Sequence, residues 1–279
     1  MADATPRPGE RAGGRPPSGG SELPLLGPKV PRPDGGFLWE GIVNGPVRSR
    51  RLGTSLGLNL IPLRSKLCTF DCPYCECGFN TAKAPDARWP SPDEVGHSLR
   101  RALERLPRAP DWITLAGNGE PTMHPRFPSV VDRVLAVRTE LAPTTRVAVL
   151  SNGLAAGKAA VRDALLALDA RMMKLDPGPA ERVNGLKFDQ AALVSSYRAL
   201  KPYTLQAMVC RGTDWDGSSE GSLAAWRDLV AQADPDCVQL YSLDRAPADP
   251  TIHNVPRERL LEMAAAIRQA LPRCVVEVY

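Results

Sequence analysis

Histidine is scarce in this chain of 279 residues, with three in all, and Phe, Trp and Tyr number only five each. So few imidazoles leave no H-x₃₋₅-H pair for a zinc-finger type of site. No uninterrupted run of 18 or more apolar residues occurs, which excludes a membrane-spanning helix of ordinary length. The first thirty residues carry no apolar signal core, so export is not expected and a reducing, cytoplasmic setting is. Neither G-x-G-x-x-G nor G-x-x-x-x-G-K-[ST] is present, which speaks against dinucleotide binding and P-loop chemistry. A net charge of +4 neither demands nor excludes a nucleic-acid partner.

What the chain does have is 43% hydrophobic and 24% charged residues, the balance of an ordinary globular domain, together with seven cysteines. In a reducing compartment these read as metal ligands, reactive thiols or buried apolar residues rather than disulfides. Residues 1–36 hold eight Pro and eight Gly, a composition that predicts a disordered tail. The domain proper is expected over residues 37–279. There, short apolar runs alternate with amphipathic stretches. Strands are predicted at 56–62, 112–117, 146–151, 171–176, 204–210, 237–243 and 274–279, and helices at about 92–106, 127–142, 157–169, 188–200, 219–232 and 256–271. Pro92 and Pro256 suit first-turn positions. Strict β-α alternation implies a mainly parallel sheet, either a partial TIM-like barrel or an open doubly wound sheet. Ser151-Asn152-Gly153, Gly117-Asn118-Gly119-Glu120, Lys174 with Asp176, and Ser242 with Asp244 all fall at carboxyl ends of strands, where both architectures place their sites.

Four of the seven cysteines lie within ten residues, in Leu67-Cys68-Thr69-Phe70-Asp71-Cys72-Pro73-Tyr74-Cys75-Glu76-Cys77-Gly78. Thiolates at 68, 72 and 75 can converge on one soft-metal site. A structural zinc site wants four ligands, commonly as two separated pairs, and no second C-x-x-C exists. A ferredoxin-type cluster takes a fourth cysteine, for which Cys210, Cys237 or Cys274 would have to reach the same mouth. These three follow strand patterns and read as structural thiols.

C-x₃-C-x₂-C in the loop after the first strand of a βα barrel resembles the signature of the radical S-adenosylmethionine (SAM) superfamily. Gly117-Asn118-Gly119-Glu120-Pro121 resembles that superfamily's GGEP motif, with Asn118 in place of a Gly, and Ser151-Asn152-Gly153 resembles its polar strand end. With Arg51–Asn59 before the cluster and Lys174-Leu175-Asp176 after it, residues 48–260 look like the stand-alone Fe–S oxidoreductase group related to wyosine-type tRNA-modifying enzymes. The resemblance implies a partial (β/α)₆ TIM-like barrel and a [4Fe–4S] cluster held by Cys68, Cys72 and Cys75, with the fourth iron open to SAM. It also implies SAM contacts from Tyr74, Gly117, Gly119, Glu120, Pro121, Ser151, Asn152 and Lys174, and a substrate or ribose role for Asp176. The implied activity is reductive cleavage of SAM to a 5′-deoxyadenosyl radical that takes hydrogen from a tRNA or small-molecule substrate. An electron donor such as flavodoxin or ferredoxin follows from that chemistry.

Two other functions remain open at this stage: a glycyl-radical activase and a non-enzymatic zinc or Fe–S module. Cys77 reads as a neighbour rather than a ligand, His124 as a packing residue, and Arg48, Arg50 and Arg51 as surface charge in preference to an RNA contact. Asp244-Arg245, with Gln239 and Tyr241, is a candidate substrate contact.

Overall fold

The computed structural model describes residues 27–32, 35–81 and 88–279. Most of the expected tail lies outside these residues. Its last described part, β1 (Lys29–Pro31), pairs antiparallel with β2 (Phe37–Trp39).

The apolar runs assemble into one sheet of eight strands. At one edge β3 (Val43–Ser49) pairs antiparallel with β4 (Gly53–Leu58). From β4 onward every neighbour is parallel, through β5 (Trp112–Leu115), β6 (Arg146–Ser151), β7 (Ala170–Lys174), β8 (Thr204–Met208), β10 (Cys237–Tyr241) and β12 (Val275–Val278). A two-residue strand, β9 (Cys210–Arg211), leaves the sheet after β8 to pair with β11 (His253–Asn254). The crossovers are α1 (Pro92–Arg105), α2 (Phe127–Leu141), α3 (Ala159–Leu166), the short α4 (Ala180–Val183) followed by α5 (Gln190–Arg198), α6 (Glu220–Ala233) and α7 (Arg257–Ala270). Six βα units plus a closing strand make a partial TIM-like barrel, one of the two architectures that the alternation allows and the one that the resemblance implies.

The sequence over 43–49 contains Gly45-Pro46, which reads as a breaker, and so β3 is not predicted. An edge position resolves the conflict. The β3/β4 register shifts between Asn44 and Val47, and Pro46 falls in that irregularity, where its missing N–H costs no ladder bond. Gly45 there has φ +97°, a value L side chains rarely adopt. Strand ends also come earlier than predicted. The first parallel strand stops at Leu58 because Asn59 turns the chain, its Oδ1 accepting from Ile61 N at 3.3 Å. The run 204–210 breaks at Val209, whose N–H bonds Tyr241 O at 2.8 Å.

Helix starts follow local chemistry. Ser91 caps α1 with a reciprocal box: its Oγ accepts from Glu94 N at 3.2 Å and Glu94 Oε2 accepts from Ser91 N at 2.8 Å. Pro92 takes the first turn as expected, whereas Pro256 sits one residue earlier, at the N-cap of α7.

Alternation along the strands separates two faces. Leu56, Leu58, Ile113, Leu115, Val147, Val149, Leu205, Ala207, Val238 and Leu240 are fully buried under the helices. The intervening residues, among them Ser55, Gly57, Thr114, Leu150, Met172 and Gln206, line an internal cavity.

Candidate functional site

The cysteine loop leaves β4 and is held in shape by side-chain bonds to its own backbone. Asn80 closes its first turn: Oδ1 accepts from Cys68 N at 2.9 Å, and Nδ2 donates to Cys68 O and Phe70 O, both at 3.0 Å. Lys66, 1% exposed, lies beneath the loop with Nζ 2.5 Å from Gly78 O and 3.2 Å from Asp71 Oδ1. Burial opposes its charge, but the neighbouring Cys75 and Asp71 outweigh burial and raise its pKa.

Every cysteine in the described residues is a free thiol. Cys68, Cys72 and Cys75 lie close enough to perturb one another's ionisation. Burial pushes Cys68 up, with Glu120 adding to it, and pushes Cys72 up to about 11. Cys75 moves the other way, because the Cys77 thiol donates to it and Lys66 lies nearby, whereas Cys77 is raised by that same bond and by burial. N–H groups face two of the sulfurs: Phe70 N at 3.4 Å and Asn152 Nδ2 at 3.7 Å from Cys68 Sγ, and Asn184 Nδ2 at 3.7 Å from Cys72 Sγ. Among the described residues, no three His, Cys, Asp or Glu side chains gather around a single-ion site.

The Gly117–Pro121 segment is bolted to this loop. Leu67 and Gly119 form a parallel bridge, with Leu67 N donating to Asn118 O at 3.2 Å and Glu120 N to Leu67 O at 3.0 Å. A Cβ on Gly119 would lie 1.7 Å from Leu67 O, so only glycine permits the approach. Gly117 packs on Asn59 less tightly, a Cβ there falling 2.5 Å from Asn59 Oδ1. Asn118, the departure from GGEP, is fully buried and acts as a strand partner for Trp39: Oδ1 accepts from Trp39 N at 2.8 Å and Nδ2 donates to Trp39 O at 2.9 Å.

Glu120 is 4% exposed and caps a 3₁₀ turn, Pro121–Met123, that Pro121 opens. Its Oε1 accepts from Thr122 N at 3.0 Å, Thr122 Oγ1 at 2.5 Å and Ser151 Oγ at 2.8 Å; its Oε2 accepts from Asn152 N at 2.8 Å. All four donors are neutral, and no ion pair to Glu120 exists among the described residues. Burial therefore raises its pKa despite these bonds. Ser151 and Asn152 are thus brought to Glu120, and Asn152 also donates to Thr69 Oγ1 at 2.6 Å, closing the circuit to the cysteine loop.

A second group lies at the ends of β7 and β10. The Tyr74 hydroxyl donates to Asp176 Oδ2. Asp176 also accepts from Asn184 Nδ2 at 2.8 Å and Met208 N at 2.8 Å, and pairs with Lys174 Nζ at 3.2 Å. Asp176, expected to meet substrate or ribose, has a side chain that is 0% exposed with both oxygens engaged, and it holds Tyr74 and Lys174 in place. Lys174 Nζ also donates to Tyr241 Oη at 3.1 Å and stands 4.9 Å from the Tyr74 ring centroid. Burial opposes its charge, but Asp176 outweighs burial and raises its pKa.

Between these groups and the β3/β4 hairpin lies a cavity of about 320 Å³, bounded by Cys75 and Cys77 at the loop and by Trp39, Asn44, Arg51 and Arg245 toward the edge strand. Arg50 is on the surface, paired with Asp244 at 2.9 Å, whereas Arg51 turns inward and its guanidinium stacks on Tyr241 with 4.4 Å to the centroid. The surface reading thus holds for Arg50 and fails for Arg51. Arg245 pairs with Glu76. His124 is a packing residue as expected, bonded to Pro90 O at 2.7 Å and edge-on to Trp89. Cys210 is a buried strand thiol as expected, packed in the same apolar cluster as Cys72 and Tyr74. Sequence reasoning also missed Lys66, Asn80 and Asn184. The short polar spacing around the cysteines signals only Asn80 in advance.

No family model matches the chain. It is 28% identical over 247 residues to a protein named GTPase Obg from Brachyspira hyodysenteriae, covering 85% of this chain and 34% of that protein. To a UPF0026 protein of Helicobacter pylori it is 35% identical over 138 residues, 48% of this chain and 42% of that protein. The chain therefore spans from a third to less than half the length of these two relatives. Among solved structures it matches Streptococcus suis SuiB bound to S-adenosylmethionine, with TM-score 0.55, 13% identity, and coverage of 77% of this chain and 48% of that one. It also matches anSMEcpe with bound AdoMet, at TM-score 0.52, 13% identity, 80% and 63% coverage. At such identity the likeness is one of fold, a partial barrel that those two S-adenosylmethionine-bound proteins share. A UPF0026 protein of Synechocystis sp. is 30% identical over 209 residues, 71% of this chain and 74% of that protein, and on this match the chain belongs to the UPF0026 family.

Proposed function

We propose that the chain is a radical SAM enzyme that holds a [4Fe–4S] cluster on Cys68, Cys72 and Cys75 and binds SAM across the Gly117–Pro121 and Ser151–Asn152 strand ends. The observation that carries this reading is Glu120, a buried carboxylate with four neutral donors and no cationic partner among the described residues, locked by the Leu67–Gly119 bridge to the cysteine loop. A buried carboxylate so placed is completed by an ammonium group, and the α-amino group of SAM supplies one.

The donor set fits the cluster. The three residues offer soft thiols, N–H groups directed at two sulfurs, and Lys66 as a buried positive charge beneath them. When bound, cluster and SAM together supply a radical that abstracts hydrogen, fed by a one-electron donor such as flavodoxin or ferredoxin. The chain's own residues bind and orient. Glu120 takes the ammonium, and Lys174 keeps one N–H beyond its bonds to Asp176 and Tyr241 for the SAM carboxylate. Asp176 anchors the Tyr74 hydroxyl and thereby sets its ring. The GTPase name of one relative is not carried over: the nearest phosphate-loop string, Gly153-Leu-Ala-Ala-Gly157-Lys158-Ala159, is one residue short and lacks the final Ser or Thr.

Anaerobic reconstitution tests the reading. It expects about four irons per chain and an EPR signal that SAM perturbs. Cys68→Ala, Cys72→Ala or Cys75→Ala should each abolish the cluster while Cys77→Ala retains it. Stoichiometric zinc with a SAM-insensitive spectrum would overturn it.

A further inference from the structure

The cavity between the cysteine loop and the edge hairpin contains two donors that the protein leaves without a partner. Asn44 Nδ2 and Arg51 Nη1 are both buried and unbonded, and both residues line this one space. Neither placement is casual. Asn44 lies opposite Gly57 in the β3/β4 pair, and its amide occupies the room a Cβ there would need, 2.2 Å from Oδ1. Arg51 sits in the hairpin turn, where Ser49 Oγ accepts from Arg51 N at 3.2 Å and from Leu52 N at 3.1 Å. Its guanidinium rests on Tyr241 and forms no ion pair among the described residues. A guanidinium N–H buried without an acceptor is costly even though the rest of Arg51 is only half-buried, and the remaining charges of the lining do not relieve it. Glu76 and Arg245 neutralise each other, so Arg51 is the uncompensated one.

The rest of the lining sets size and body. The volume of about 320 Å³ is at the lower end of small-molecule sites, which run from about 300 to 1,000 Å³. Trp39, Val47, Leu52, Leu150 and Met172 give it an apolar wall. At one end it reaches Cys75 and Cys77, the side from which the proposed chemistry would act.

We infer that the substrate is a small anionic molecule with an apolar or ring-shaped body, whose oxyanion is taken by Arg51 and whose second acceptor is met by Asn44. This inference rests on the radical SAM reading for the word substrate, but not for the anion site itself. The shared chemistry is an oxyanion, and carboxylate and phosphate are its two sources.

The test is calorimetric titration of the full chain, as purified and after anaerobic reconstitution, with phenyl phosphate and with phenylacetate, inorganic phosphate being the headgroup alone. Saturable binding of one of the two aromatic probes is expected and identifies the headgroup. Arg51→Gln should weaken that binding at least tenfold and Arg51→Lys less, since an ammonium keeps the charge and loses the fork. Arg50→Gln, on the surface, should bind as the parent does. If Arg51→Gln does not fold, the weakening in Arg51→Lys decides. Absence of binding by the parent chain, or parent-like binding by the Arg51 variants, overturns the inference. Failure here with a SAM-perturbed EPR signal leaves the radical reading in place, whereas anion binding without that signal removes the radical reading and keeps the site.

Discussion

The parallel strands bury two faces that differ in kind. Toward the helices, Leu56, Ile113, Leu115, Val149, Leu205 and Leu240 form a continuous apolar layer with no polar contact to satisfy. Toward the lumen the same strands present Ser55, Thr114, Met172, Gln206 and Gln239, linked by polar bonds such as Ser55 Oγ to Thr114 Oγ1 at 2.6 Å and Gln206 Nε2 to Gln239 Oε1 at 2.9 Å. The first face is what makes the barrel fold, since burial of apolar area is its driving term. The second gives up part of that term to keep an open, polar interior. The carboxyl-end loops then place thiols, carboxylate and cations at the mouth of that interior.

The sharpest way to break this contrast is to truncate one leucine on each face. Leu115→Ala removes a fully buried side chain from the helix side and should cost about 2–5 kcal/mol in denaturant unfolding. Leu150→Ala trims a residue that already borders a cavity, so less close packing is lost and the cost should be clearly smaller. Equal losses would mean that the lumen is packed as tightly as the core, and the distinction between the faces would fall.

A second pair sharpens the comparison at the strand ends. Gly119→Ala drives a Cβ into Leu67 O and must part the cysteine loop from the Glu120 segment, a steric cost of about 1–3 kcal/mol. Its more telling readout is iron content after reconstitution, which should drop together with stability. Gly157→Ala, a few residues beyond the Ser151-Asn152-Gly153 turn, meets nothing within 4 Å and should lie within about 0.5 kcal/mol of the parent with normal iron loading. Normal loading in Gly119→Ala would show that the bridge does not position the cysteines.

The helix-facing layer was legible in the sequence, because period-two apolar runs carry their own signature. Six of the seven predicted strands lost or shifted one or more end residues, yet all seven exist. Legible too was the order of motifs at the strand ends, since each is local: the cysteine spacing, Gly119-Glu120-Pro121, and Ser151-Asn152. What the sequence could not disclose is what depends on distant pairing. β3 was hidden because Gly45-Pro46 breaks a central strand but not an edge one. Arg51 looked like its neighbours Arg48 and Arg50, and only the hairpin turn separates an inward guanidinium from an outward one. Asp176 was placed correctly next to Lys174, but its saturation by Tyr74, Asn184 and Met208 comes from three other segments. Asn118 read as a departure from a motif, and its reason lies 79 residues away in Trp39.

The smallest effect expected is also the one that separates the two faces by pH. Glu120 is a buried ionisable group at the proposed SAM-binding end, and its pKa lies above the ordinary carboxylate value because burial outweighs its four neutral hydrogen bonds. An ammonium is attracted to the ionised carboxylate and not to the protonated acid. SAM affinity should therefore be full above that raised pKa and decline as pH falls through it, by up to tenfold per pH unit, about 1.4 kcal/mol. Equilibrium SAM binding followed as the pH is lowered from neutral measures this, and Glu120→Gln should bind weakly and without that slope. Leu115 packs in a cluster whose ionisable members, Tyr197 and Tyr203, are pushed by burial above the usual tyrosine range, so the stability lost in Leu115→Ala should stay constant over the same range. A flat affinity profile in the parent chain would mean that the ammonium is not held by Glu120, leaving that buried carboxylate as a purely structural cap of the Pro121–Met123 turn.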